Sequence, residues 1–164
     1  MKINTCCFIG HREINVTDEI KEKLYVLIEH LIIEESIDTF LFGSKSQFDD
    51  LCYDIVTEIK KKYPHIKRIF VRAEYPYIDE SYEAYLLESF EDTYFPKSLL
   101  GAGKASYVKR NCEMIDNSRF CIVYYKEDYT PKGRKSGTKI ALAYAEKKKK
   151  TIISLIKNII KYLI

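Results

Sequence analysis

Phe120-Cys-Ile-Val-Tyr-Tyr125 is an uninterrupted apolar run. Shortly after it, Arg134-Lys-Ser-Gly-Thr-Lys-Ile-Ala-Leu-Ala-Tyr-Ala145 passes from a basic, glycine-containing loop into a small-residue stretch with helical character. An apolar strand, a loop of exposed backbone N–H groups and a helix N-terminus, in that order, form a natural anion site. Phe42-Gly-Ser-Lys-Ser-Gln-Phe-Asp49 is a second glycine turn of this kind, again after a short apolar run and before a helical pattern. Two such turns in one chain point to a phosphate-bearing ligand.

The rest of the chain alternates in the same way. Thr5-Cys-Cys-Phe-Ile9, Asp38-Thr-Phe-Leu-Phe42, Arg68-Ile-Phe-Val-Arg72 and Thr151-Ile-Ile-Ser-Leu155 read as further strands. Between the first two, Thr17-Asp18-Glu19 supplies a helix start, and Ile20, Leu24, Leu27, Ile28 and Leu31 keep helical spacing. Leu51, Ile55, Ile59 and Tyr63 mark a second helix over residues 48–63. A third covers Lys104 to Asp116, with Tyr107, Val108, Cys112 and Ile115 facing inward, and a fourth runs from Ser136 to Lys149. Tyr82 to Phe90 suits a short helix, and the apolar residues from Ile156 to Ile164 suit a terminal one. Strands alternating with helices predict an α/β fold: a Rossmann-like open, mainly parallel sheet of about five strands flanked by helices, with ligands at the carboxyl ends of the strands.

The 164 residues suit one domain over residues 1–164, large enough to bury its own core. The tyrosine-rich stretch 74–103, punctuated by Pro76 and Pro96, reads as a lid or interface insertion. Its aromatics and the apolar C-terminal run lead to an expectation of a homo-oligomer, a homodimer in particular. Five cysteines without paired spacing, and no leader-like N-terminus, fit buried thiols in a reducing cytoplasm; no zinc site is expected. No apolar stretch has the length that spans a bilayer, so no membrane role is expected. Lys and Arg number 27 against 24 Asp and Glu, a net charge of +3 that advertises no nucleic-acid partner. Lys147 to Lys150 form the densest basic run, read as a solvated helix end against a polyanion patch.

The candidate ligand residues gather at predicted strand ends. Gly10-His11-Arg12 follows the first strand, either as ligand contacts or as a turn with incidental polar groups. Gly43 and Ser44 open the first glycine turn, and Asp49 closes it. That carboxylate suits a ligand hydroxyl or base N–H, or ordinary helix capping. Arg72 and Glu74 end the third strand, in a site or as a surface ion pair, and Ser136, Gly137 and Thr138 form the phosphate loop proper. The chain has no GxGxxG, and Gly101-Ala-Gly-Lys104-Ala-Ser106 lacks the first glycine of a Walker A loop and its magnesium-binding hydroxyl.

Taken as an ordered set, these features resemble the SLOG superfamily in its YpsA-like branch. They are the strand followed by Gly10-His11-Arg12, the turn from Gly43 to Asp49, Arg110-Asn-Cys-Glu-Met-Ile-Asp116 before a strand, and Ser136-Gly137-Thr138 before a helix. The resemblance runs nearly end to end. It implies a Rossmann-like fold whose glycine turns bind a nucleotide or a nucleotide-derived ligand, NAD- or ADP-ribose-like compounds included, with no cofactor required. Stress signalling, division control or phage defence are the settings it implies. Gly43 and Asp49 match the first turn, and Gly137 and Thr138 the phosphate loop. Ser44 and Gln47 replace repeated glycines, and Arg119 stands where an acid is common. Cytokinin-activating phosphoribohydrolases of the superfamily carry glutamates two and three residues after the Gly-Thr, where this chain has Ile140 and Ala141. The expectation is therefore a ligand sensor or regulatory protein. The alternative is a nucleotide N-glycosidase drawing its carboxylate from Glu74 or Asp49, and a DNA-binding role like that of the superfamily's recombination mediators is a third reading.

Overall fold

The computed structural model describes residues 3–43, 45–127, 136–156 and 160–161. Its seven strands form one sheet: β1 (Thr5–Gly10), β2 (Thr39–Phe42), β3 (Lys67–Val71), β4 (Asp92–Tyr94), β5 (Phe120–Tyr124), β6 (Thr151–Ser154) and β7 (Ile160–Lys161), in the order β4-β3-β2-β1-β5-β6-β7. Strands β1 to β6 are all parallel, and β7 runs antiparallel to β6. The expected Rossmann-like α/β sheet is present, with two strands more than the five read from the sequence. The apolar C-terminal run corrects one expectation: within 156–164, residues 160 and 161 form β7, where a terminal helix was expected.

Alternation along the strands divides the core between two faces. Cys6, Phe8, Phe40, Phe42, Ile122 and Tyr124 meet α1 (Asp18–Glu34) and α2 (Gln47–Lys62) through Leu24, Ile28, Phe48 and Ile55. Cys7, Ile9, Leu41, Val71, Cys121 and Val123 meet α4 (Ser106–Asp116) and α5 (Gly137–Lys147) through Met114, Ile115, Ala141 and Ala145. Thr17 caps α1 through the Ile20 N–H, as its sequence position suggests. Helix α4 buries Ile115 as expected and half-buries Cys112, but it turns Arg110 and Met114 inward and leaves Tyr107 and Val108 exposed. All five cysteines are free thiols, and only Cys112 is not fully buried.

The stretch 74–103 contributes α3 (Glu80–Leu87) and the edge strand β4, so its middle completes the sheet. Lys150 departs from a fully solvated basic run. It is buried, and its ammonium donates to the carbonyls of Ser118 at 2.9 Å and Asp116 at 3.3 Å. Arg119 precedes β5, at the sheet edge opposite the glycine turns, where it pairs with Glu35 at 2.6 Å. No helix among the described residues is long and apolar enough to cross a membrane.

Candidate functional site

Strand order reverses at β1, which has β2 on one side and β5 on the other. In open α/β sheets a crevice forms outside the carboxyl ends of the strands at such a point. Here it is a cleft of about 1100 Å³, reaching from the turn after β1 to the turn after β3, with α4 and the start of α5 as walls. The structure brings Gly10, His11, Arg12, Gly43, Arg72, Glu74, Ser136, Gly137 and Thr138 together on this one surface. Ser44 lies outside the described residues. Asp49 stands behind the wall, and the Gly101 to Ser106 turn does not line the cleft.

The two helix N-termini at the cleft differ. That of α2 is closed by the chain itself: the Gln47 N–H donates to Arg12 O at 2.8 Å, and the Asp49 N–H to Ser46 Oγ at 3.0 Å. The Gln47 side chain accepts the Ile14 N–H at 2.9 Å, which ties the loop after β1 down onto α2. Gln47, a departure from the glycine pattern, is thus a strut. At α5, Ser136 Oγ accepts the Lys139 N–H at 3.0 Å, and Thr138 Oγ1 donates to Gly10 O at 3.0 Å. The N–H groups of Gly137 and Thr138 belong to the first helical turn, where no intrahelical acceptor exists. Among the described residues a Cβ built on Gly137 would touch nothing within 4 Å.

The other two site glycines are there for packing. A Cβ at Gly10 would lie 2.1 Å from the Phe48 ring, and one at Gly43 would lie 2.8 Å from both Arg110 Cδ and the Val71 carbonyl. The Gly43 N–H, expected to face a phosphate, donates instead to Asp49 Oδ2 at 3.4 Å, and its carbonyl accepts from Arg110 Nη1. Asp49 is buried, with Oδ1 meeting no partner, and burial pushes its carboxyl up to about 8 against the opposing pull of the Gly43 N–H and Arg110. It is therefore mostly neutral at pH 7. His11 is held in a similar way: Nε2 accepts the Lys126 N–H at 2.7 Å, the ring lies against Tyr125, and burial lowers its pKa. Its imidazole fastens the end of β1 to the segment after β5.

Arg110 is the site residue that the sequence pointed to least. It is 4% exposed, it lines the cleft, Nε donates to Asn111 Oδ1 at 3.1 Å, and the guanidinium lies 5.7 Å from the Tyr107 ring. Burial depresses its pKa, and Asp49, Tyr107 and Glu74 oppose that shift where they are ionised. Its only signal was its place at the head of the Arg110 to Asp116 motif. Tyr107 donates its hydroxyl to Glu74, a bond that raises the tyrosine's pKa. Arg12, Lys45, Arg72 and Arg110 face the cleft against Glu13 and Glu74, so its charge is net positive, with Phe70, Tyr75, Tyr82 and Tyr107 as aromatic surface. Among the described residues no three or more His, Cys, Asp or Glu side chains gather as a metal ion would need.

Fold and site together define a Rossmann-like α/β protein with a cationic, aromatic-walled cleft at the switch point of its sheet. No protein-family model matches the chain, and no curated protein matches it.

Proposed function

We propose that the chain binds a nucleotide or nucleotide-derived ligand in this cleft, as a sensor or regulatory protein of the kind its resemblance to the YpsA-like SLOG proteins implies. The observation that carries the reading is the open α5 N-terminus sharing one cleft with the buried guanidinium of Arg110. Backbone N–H groups and a helix dipole favour a phosphate, and a desolvated arginine strengthens the same preference. The tyrosines offer flat surface to a base. The sensor reading is supported by Ile140 and Ala141, which supply no carboxylate where the phosphoribohydrolases have two.

Gly137→Val tests the phosphate cradle. The added side chain meets no described residue, so the fold is expected to survive, while the branch blocks close approach of an anion to the backbone. Calorimetry with the best ligand from a thermal-shift screen of mononucleotides, dinucleotides and ADP-ribose derivatives should show at least ~tenfold weaker binding. Unchanged affinity in a folded variant would remove the cradle from α5.

The same proposal includes a homodimer. Tyr77 and Tyr85 are largely exposed, and Leu86 is the sole buried residue of α3. Tyrosines on such a surface suit an interface. Light scattering at micromolar concentration should give twice the 19.3 kDa chain mass, and a single-chain mass would discard the dimer.

A further inference from the structure

The cleft has two chemically different ends. At one, α5 is bonded to the end of β1 through Thr138. The other lies beyond β3, two strands away in the sheet order. With neighbouring strands about 4.8 Å apart, the ends are roughly 10 Å from each other. A ligand whose phosphate meets α5 therefore lays its base over the β3 end.

That end is built from Tyr75, Tyr82, Arg72 and Glu74. Tyr75 has a φ of 59°, left-handed backbone that a tyrosine rarely adopts, and Arg72 Nη1 holds its carbonyl at 3.2 Å. The Tyr75 ring meets Tyr82 edge-on at 6.1 Å, and Tyr82 in turn stacks on Tyr85 at 6.2 Å. Tyr75 remains 59% exposed, so much of its surface is free for a flat partner. This backbone places the Tyr75 ring among the residues that line the cleft.

The polar groups at this end are of opposite kinds. Arg72 offers donors only: its Nε–H is enclosed and has no acceptor among the described residues, one Nη1 hydrogen goes to Tyr75 O, and its remaining terminal N–H groups are the ones a ligand can reach. Glu74, when ionised, offers acceptors only, and its carboxylate has lone pairs beyond the one that takes the Tyr107 hydroxyl.

We infer that this end of the cleft selects a guanine-type base, a 2-amino-6-oxopurine, with Arg72 reading its acceptor edge and Glu74 its donor edge. The inference rests on the nucleotide reading above. Guanine presents O6 and N7 as adjacent acceptors, the pair that an arginine fork takes best. Its N1–H and 2-amino group are donors suited to a carboxylate. Adenine sets a 6-amino donor against the guanidinium and has no ring N–H for Glu74. Arg72, partly buried, and Glu74, exposed, would each go without the hydrogen bonds to adenine that guanine offers them.

Calorimetric titration of the full chain with the matched pairs GMP and AMP, GDP and ADP, and GTP and ATP tests this directly, because each pair differs only in its base. In the pair that binds best, the guanine member should bind at least ~tenfold more tightly. Arg72→Met and Glu74→Gln should each weaken the guanine member and leave the adenine member unchanged, bringing the ratio to within ~threefold. An adenine member that binds as tightly as its guanine counterpart overturns the inference and leaves the nucleotide reading standing. So does a preference for guanine that survives in both folded variants. No binding by any of the six compounds overturns the inference, and the nucleotide reading falls with it only if the dinucleotides and ADP-ribose derivatives of the thermal-shift screen also fail to bind.

Discussion

Gly10→Val is expected to be the most damaging single substitution at the site. The glycine ends β1 where α2 crosses, and a Cβ there falls 2.1, 2.3 and 2.5 Å from three carbons of Phe48. That ring is fully buried, 6.4 Å from Phe8 and 5.7 Å from Tyr124 by ring centroid. Overpacking a closed core commonly costs about 1–3 kcal/mol, and a branched side chain against a rigid ring belongs at or above the top of that range. At about 2–4 °C per kcal/mol for a chain of this size, the melting midpoint should fall by about 6–12 °C. Calorimetric melting of Gly10→Val, Phe48→Ala and the double variant checks the cause. If Phe48 is the obstacle, the double variant loses clearly less than the sum of the singles; strict additivity would place the strain elsewhere.

Asp49→Asn should stabilise the protein by an amount that depends on pH. The folded-state pKa of Asp49 is about 8, against an ordinary 3.8. Between those values the folded chain keeps a proton that the unfolded chain releases, so stability falls as pH rises from about 4 to 8 and levels off beyond. Each pH unit in that window costs at most about 1.4 kcal/mol. Asparagine stays neutral in both states and can still accept the Gly43 N–H. Its advantage should be small near pH 4, increase through neutrality and reach several kcal/mol by pH 8. Urea unfolding at pH 5, 7 and 9 measures it. A difference that does not change with pH would mean that the folded carboxyl is already ionised.

The strands that carry the site were legible because burial on both faces leaves nearly continuous apolar runs, as in Thr5 to Ile9 and Phe120 to Tyr124. Strand β4 was not. It is an edge strand of three residues, Asp92–Tyr94, none of them fully buried, so neither length nor pattern marks it. The pair at 160–161 was hidden for the opposite reason: an apolar run with interspersed lysines satisfies a helix as well as a strand. The site glycines could be found from their positions after strands, but not their purposes. Only the fold puts Phe48 against Gly10 and Arg110 against Gly43, and leaves Gly137, of the three, without a described neighbour where a side chain would go. Asp49 was visible as a carboxylate in the first turn of α2. Its inward turn depends on the Gly43 N–H, a partner that sequence spacing alone does not identify.

Strand β1 finds β2 soon after it is made, but its other neighbour, β5, lies far along the chain; Cys7 and Cys121, paired in register, are 114 positions apart. On a ribosome, β1 to β4 can zip together while β1 still shows a bare edge, and that edge is closed only when Phe120 to Tyr124 has emerged. The cleft spans this closure. Gly10 comes from the early half and its partner Thr138 from the late one, so an unfinished chain holds most of the named cleft residues without α5. Until α5 has emerged, the cleft lacks the wall that Thr138 ties to Gly10, and the β5–β6 and β6–β7 seams close later still.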